Sequence, residues 1–161
     1  MDPCYFCQVV TDDTSAWNLV AQDALTCVAL NGRQFEEGQC IVFPRRHAPT
    51  LLDLTAEEGA AIMAAATRVM QVMVEQYAPD GVLLYQNNGT GSGQEVPHFH
   101  LHVVPRRAGS DWGFGPPHIA RLDGVDKPVR INHAAATNEK LATAEALRGW
   151  LSRREAAPDD T

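Results

Sequence analysis

The chain has no excess of positive charge, no internal repeat, and no uninterrupted apolar stretch approaching the ~20 residues a membrane span needs. Its 161 residues carry 13 Lys and Arg against 20 Asp and Glu, a formal charge of −7. An acidic surface argues against a broad grip on the phosphate backbone of DNA or RNA, while leaving room for a small anion in one local pocket. The opening Met-Asp-Pro-Cys-Tyr-Phe-Cys has neither a basic n-region nor an apolar h-region, so secretion is not indicated. Cysteine is scarce, with four residues at 4, 7, 27 and 40. Without an export signal, a disulfide framework is the weaker reading of them. What is present is ordinary globular material, 45% hydrophobic and 20% charged, which excludes wholesale disorder. The length suits one domain with a real core, and the composition a soluble, cytoplasmic protein with no membrane or nucleic-acid polymer as partner.

Hydrophobic periodicity predicts an α+β fold. Residues 19–30 read as two short strands around a turn near Gln22-Asp23, and Cys40–Phe43 as a buried strand stopped by Pro44. Thr55-Ala-Glu-Glu58 has the pattern of a capping box opening a helix. Ile62, Ala66, Val69, Met73 and Tyr77 continue its apolar face until Pro79-Asp80-Gly81, with the methionines and the alanine run as core filling. Val82–Tyr85 is a further strand, followed by a glycine-rich loop from Gln86 to Gly93 and a strand from His98 to Val104. Arg106–Ala136 reads as mostly loop, with His118 and His133 exposed and Trp112 and Phe114 either packing the loop or meeting a ligand. Thr137–Glu155 is helical again, anchored by Leu141, Leu147 and Leu151. The sum is about five antiparallel strands, one long helix on the sheet and one helix near the C-terminus, with 156–161 as a disordered tail.

Two clusters carry chemistry. Cys27 and Cys40 lie inside apolar runs and read as small buried hydrophobes. Cys4 and Cys7 form a Cys-x-x-Cys pair, which can be a metal hook, a redox pair or a coincidence; the redox reading expects the pair at the end of a strand, entering a helix, which this terminus does not offer. His98, His100 and His102 alternate, so a strand puts all three imidazoles on one face and Phe99, Leu101 and Val103 on the other. The outer two have Cα atoms roughly 13 Å apart on an extended strand, too far for one zinc without a bend. Division of labour fits a linear row better: a nucleophile in the middle, with its neighbours holding charge and position. Gly89, Gly91 and Gly93 just upstream allow backbone N–H groups to turn toward an anion. Together the loop and the row point to a phosphoryl or nucleotidyl centre.

The run His98-Phe-His100-Leu-His102-Val-Val resembles the His-x-His-x-His-x-x signature of the histidine triad (HIT) nucleotide hydrolases and transferases. The likeness extends through Asn87–Arg106, Ala29-Leu-Asn31, Pro44-Arg-Arg-His47 and Leu51–Leu54, roughly residues 4–107, and is to bacterial, zinc-containing members. It implies a HIT-like domain over 1–155, with a core at 4–107 and a C-terminal loop and helix at 108–155. It also implies His100 as the nucleophile on an α-phosphate, through a nucleotidyl-histidine intermediate, with His102 and Asn87 beside the reacting phosphate. Gln94 and the amides of Gly93 and Glu95 are expected to line the phosphate pocket, and Asn31 to meet the ribose of an AMP- or GMP-containing substrate. Cys4, Cys7, His47 and His98 are the implied ligands of a structural zinc ion, a closed set that takes one end of the row and leaves the other two histidines free. A homodimer is implied as well.

Two positions depart from the family pattern. Gln39 stands where many relatives have a histidine that organises the active site, and Gln cannot change protonation state. Glu95 stands where eukaryotic branches have Ser or Thr. His102 favours hydrolysis of a nucleoside phosphoramidate or dinucleoside polyphosphate over transfer, because transferases of the superfamily usually have Gln there. The alternative is a zinc-stabilised dimeric nucleotide-binding scaffold with little turnover, for which Gln39 is the main argument.

Overall fold

A computed structural model describes residues 4–11, 18–32, 34, 36–109 and 137–156. The expectations for Trp112, Phe114, His118, His133, the side chain of Leu141 and the 157–161 tail lie outside the described residues.

The two most apolar runs make the centre of the sheet. Strands β2 (Thr26–Leu30) and β3 (Cys40–Pro44) are buried along their whole length and pair antiparallel, Val28 opposite Val42. The reversal ahead of β2 is built by Asp23, whose Oδ1 accepts from the N–H groups of Leu25 (2.9 Å) and Thr26 (2.7 Å). Strand β1 (Leu19–Gln22) flanks β2, and β4 (Gly81–Tyr85) and β5 (Leu101–Arg106) complete a five-stranded antiparallel sheet in the order β1-β2-β3-β5-β4.

The sheet buries both faces, by different means. Val20, Val28, Leu30, Val42, Leu101 and Val103 meet the helices α2 (Ala56–Tyr77) and α3 (Thr137–Ala156). Helix α2 opens on the expected capping box, with Thr55 and Glu58 exchanging side-chain and backbone hydrogen bonds, and ends at Ala78 in the left-handed region (φ 43°) just before Pro79. Ile62, Ala66, Val69 and Met73 are its buried stripe, whereas Met63 is turned to solvent and fills no core. Helix α3 anchors through Ala144, Leu147 and Leu151 and runs to Ala156, one residue beyond expectation. Arg148 Nε donates to the Leu19 carbonyl at 2.7 Å, tying α3 to the sheet edge.

The opposite face carries Cys27, Ala29, Ile41 and Phe43, covered by Phe6 and Val9 of a short helix, α1 (Tyr5–Thr11), that the sequence reading does not anticipate. Among the described residues, no helix is long and apolar enough to cross a membrane.

Candidate active site and metal centre

The histidine row straddles the start of β5 rather than lying within a strand from His98. The reason is where the backbone groups go. The N–H of His98 donates to Val96 O (2.8 Å) and that of Phe99 to Ala48 O (2.6 Å), so neither joins a ladder. Pairing with β3 begins at Leu101 opposite Val42 and ends at Val103 opposite Cys40. Pro105 therefore falls where β5 has only β4 as a neighbour, and the strand continues through it to Arg106. Within β5 the alternation holds. Leu101 and Val103 enter the helix-side core, while His102 shares the other face with its cross-strand partners Ile41 and Tyr85.

His98 is fully buried, and two bonds fix its ring. Its Nε2–H donates to Pro44 O at 2.9 Å, which leaves the lone pair on Nδ1. That nitrogen lies 3.4 Å from Cys4 Sγ and 3.7 Å from Cys7 Sγ, and His47 Nδ1 lies 3.4 Å from Cys7 Sγ. One ligand atom from each of the four lies within 4.8 Å of the others. Around a tetrahedral zinc, with Zn–S about 2.3 Å and Zn–N about 2.05 Å, sulfur–nitrogen edges should be about 3.5 Å. The three observed separations match. A single thiol proton on Cys7 could serve only one of the two imidazoles near it, whereas a shared cation serves both. Burial pushes the His98 pKa down, which favours the neutral ring a metal requires. Cys4 and Cys7 do open a helix, α1, contrary to the sequence expectation. The helix is too short for periodicity to reveal, and it delivers both thiols to His47 and His98.

His100 is half-buried. Its Nδ1–H donates to the carbonyl of His98 at 2.7 Å; a carbonyl can only accept, so the lone pair is on Nε2. Burial pushes its pKa down, against smaller opposing pulls from the bond to the His98 carbonyl and then from Glu95. The neutral ring, with its lone pair on Nε2, is thus the favoured form. Phe6 lies against it, at 5.0 Å between ring centroids. His102 sits beside it, 5.0 Å away at 77°. The buried carboxamide of Gln39 donates from Nε2 to His102 Nδ1 at 3.3 Å, and Tyr85 stacks on the His102 ring at 4.3 Å and 10°. Asn31, half-exposed, is tied to the same place through its N–H, which donates to Gln39 O at 2.8 Å.

The glycine loop is arranged differently from the expected cradle. It closes on itself as a single 3-10 turn: the N–H of Ser92 donates to Gly89 O (3.2 Å), that of Gly93 to Thr90 O (3.0 Å), and that of Gln94 to Gly89 O (3.2 Å). Gly93 adopts φ 84°, which closes the turn. The Gly93 amide, expected to face a phosphate, is therefore engaged inside the loop. The Gln94 side chain is buried and also used internally, accepting from Gly89 N (2.6 Å) and donating to Pro49 O (2.6 Å) and Val96 O (3.0 Å). It braces the loop against the segment that carries His98. Asn87 reaches across the turn, its Nδ2 donating to Gly93 O at 3.4 Å, and Glu95 is exposed.

The HIT domain family model matches residues 14–109, more than half of the chain. The chain belongs to the histidine triad family. A relative from Bacillus subtilis (strain 168), named protein hit, is 29% identical over 141 residues, covering 88% of this chain and 96% of its own length. An adenosine 5'-monophosphoramidase from Schizosaccharomyces pombe is 30% identical over 112 residues, or 70% of this chain and 80% of the relative. A zinc-bound histidine triad family protein from Mycobacterium smegmatis superposes with a TM-score of 0.73 at 27% identity, covering 95% of this chain and 96% of that one. The α+β HIT fold expected from the sequence is thus the fold observed.

Sequence reasoning missed two residues of this HIT site. Phe6 had one faint signal, its three-residue spacing to Val9. Tyr85 had none, because only strand pairing brings it opposite His102.

Proposed function

We propose that this HIT protein is a nucleotide hydrolase that cleaves a nucleoside phosphoramidate or a dinucleoside polyphosphate at the α-phosphate. The observation that carries the reading is the 2.7 Å bond from His100 Nδ1 to the His98 carbonyl, which commits the ring to a tautomer with a free Nε2 lone pair. In this reading Nε2 attacks the α-phosphorus as the bond to the leaving amine or phosphate breaks, and the leaving group departs, an amine taking its proton from solvent water. Water then attacks the nucleotidyl-histidine, the phosphorus–nitrogen bond breaks, and a nucleoside monophosphate and neutral His100 are released. His102, its Nδ1 occupied by Gln39, presents Nε2–H to the phosphate oxygens. Asn87 and the amide of Glu95 border the phosphate, Asn31 takes the ribose, and Gln39 positions His102. Gly93 and Gln94 serve as the frame of the loop. The named activity of the fission yeast relative supports the substrate class.

Cys4, Cys7, His47 and His98 would hold one zinc ion. A closed four-ligand set of this kind supplies structural cross-linking and leaves no open position for substrate. The M. smegmatis structure supports the choice of metal. A cytoplasmic homodimer is part of the same proposal.

The test is release of AMP from an adenosine phosphoramidate and from a diadenosine polyphosphate, with wild type beside His100→Ala. Turnover by the wild type alone is the expected result. Binding of both substrates with turnover of neither would replace the hydrolase reading with a nucleotide-binding scaffold.

A further inference from the structure

We infer that Asn88 is a positioning residue for Asn87, fixing the peptide unit that carries it by tying the loop to the start of the 3-10 turn Leu51–Asp53. The ladder between β4 and β5 ends at Tyr85, so the residues that follow need other partners. The side chain of Asn87 is held loosely, by the 3.4 Å contact to Gly93 O, and its aim therefore depends on its backbone. Asn88 Oδ1 accepts from the N–H of Leu51 at 2.9 Å. The carboxamides of Asn88 and Gln86 face each other, with Asn88 Nδ2 donating to Gln86 Oε1 at 2.6 Å and Gln86 Nε2 to Asn88 Oδ1 at 3.1 Å. Gln86 Nε2 donates as well to the carbonyl of Asn87.

Each orientation in this relay is forced by a backbone group. A peptide N–H can only donate, so the oxygen of Asn88 faces Leu51. A peptide carbonyl can only accept, so the NH2 of Gln86 faces Asn87 O, and its oxygen is left to receive from Asn88. The mount at the far end holds itself together. Thr50 caps the turn by accepting from Leu52 N–H, its own N–H donates to Asp53 Oδ2 at 2.8 Å, and Arg46 donates to Asp53 O at 2.7 Å. That cap leaves the N–H of Leu51 for Asn88. Gln94 donates to Pro49 O at 2.6 Å, so both ends of the glycine turn rest on residues 49–51. Asn88 is exposed, where water replaces a lost hydrogen bond at small cost to global stability. Its contacts therefore act on where the loop sits rather than on whether the chain folds.

That Asn87 meets a phosphate rests on the proposed nucleotide site; the hydrogen bonds of Asn88 do not, so two measurements separate them. The first is amide hydrogen exchange by NMR. The N–H of Leu51 should exchange about fivefold faster in Asn88→Ala than in wild type, the weight of one neutral hydrogen bond. Asn88→Asp keeps the acceptor and should hold that N–H at the wild-type rate or slower. Equal rates in wild type and Asn88→Ala would overturn the inference. The second is a double-mutant cycle in AMP affinity, measured by calorimetry. Asn88→Ala should weaken AMP about fivefold in the wild-type background and less than about twofold in Asn87→Ala, because Asn88 acts through Asn87. The same loss in both backgrounds would reduce Asn88 to a general structural role and overturn the inference, leaving the hydrolase reading intact. Coupled affinities in a protein that turns over neither substrate would keep the inference and overturn the hydrolase reading. A wild type that binds no AMP would overturn both.

Discussion

The ring of Phe6 lies 5.0 Å from the imidazole of His100 at an angle of 38°, and it also packs on Phe43 at 4.7 Å and on His98 at 5.5 Å. A seven-residue helix thus reaches the nucleophile candidate, the metal cluster and the sheet with one side chain.

Phe6→Ala should cost about 3 kcal/mol of stability, the lower end for a buried Phe, because α1 is short and its site can partly close. Phe6→Leu should cost about 1 kcal/mol. Urea unfolding of both variants checks the order. Equal stability of wild type and Phe6→Ala would show that α1 contributes nothing to the core.

The metal cluster makes a stoichiometric prediction. Protein purified without chelator should carry one zinc per chain by elemental analysis, and Cys7→Ala none. Stripping the metal should lower Tm by roughly 5–10 °C, as expected for loss of a ligand present well above its Kd. A wild type free of zinc would remove the four-ligand site.

Glu58 gives a pH dependence with a defined sign. The Arg46 guanidinium, with contacts of 2.7 and 2.9 Å, and the backbone N–H of Thr55 hold its carboxyl down at about 2. A folded pKa below the unfolded value adds stability that is complete above about pH 4.5 and lost as pH falls toward 2. Glu58→Gln should therefore be less stable at pH 7 by about 1 kcal/mol, a modest figure because Arg46 is half-exposed and water screens the pair. The difference from wild type should close between pH 4.5 and 2. Urea midpoints at pH 7 and pH 3 provide the comparison.

Gly38 precedes Gln39 with φ 87°, and a Cβ there would collide with the Tyr77 ring. Gly38→Ala should destabilise by more than 1 kcal/mol, from left-handed strain plus overlap. Adding Tyr77→Ala should recover the overlap but not the strain, so a double-mutant cycle should show coupling. Additive effects would show that the two residues do not compete for space.

Much of this molecule was legible because it follows local periodicity. Cys40–Phe43 could bury both faces only as a central strand, and the Thr55–Glu58 box announced α2 before its first buried apolar residue, Ile62. The alternation from Phe99 to Val103 correctly assigned the two faces of β5. What was not legible depends on distant partners. The ladder starts at Leu101 because Ala48 and Val96 take the backbone donors of the preceding residues. The glycine loop carried the signature of an anion cradle, yet its amides find acceptors three and five residues back. Nor could the sequence show that the Gln94 side chain joins Gly89 to Pro49, which lies 45 positions away along the chain.

Strand β5 assigns successive residues to opposite sides of one sheet, hydrocarbon toward α2 and imidazole away from it. That parity makes chain length inside the motif as binding as residue identity. Deleting a single residue between Leu101 and Val103 would leave the remaining composition nearly intact, yet it would exchange the two sides for whatever follows. A substitution here can be graded by size and polarity; a one-residue deletion has no mild form.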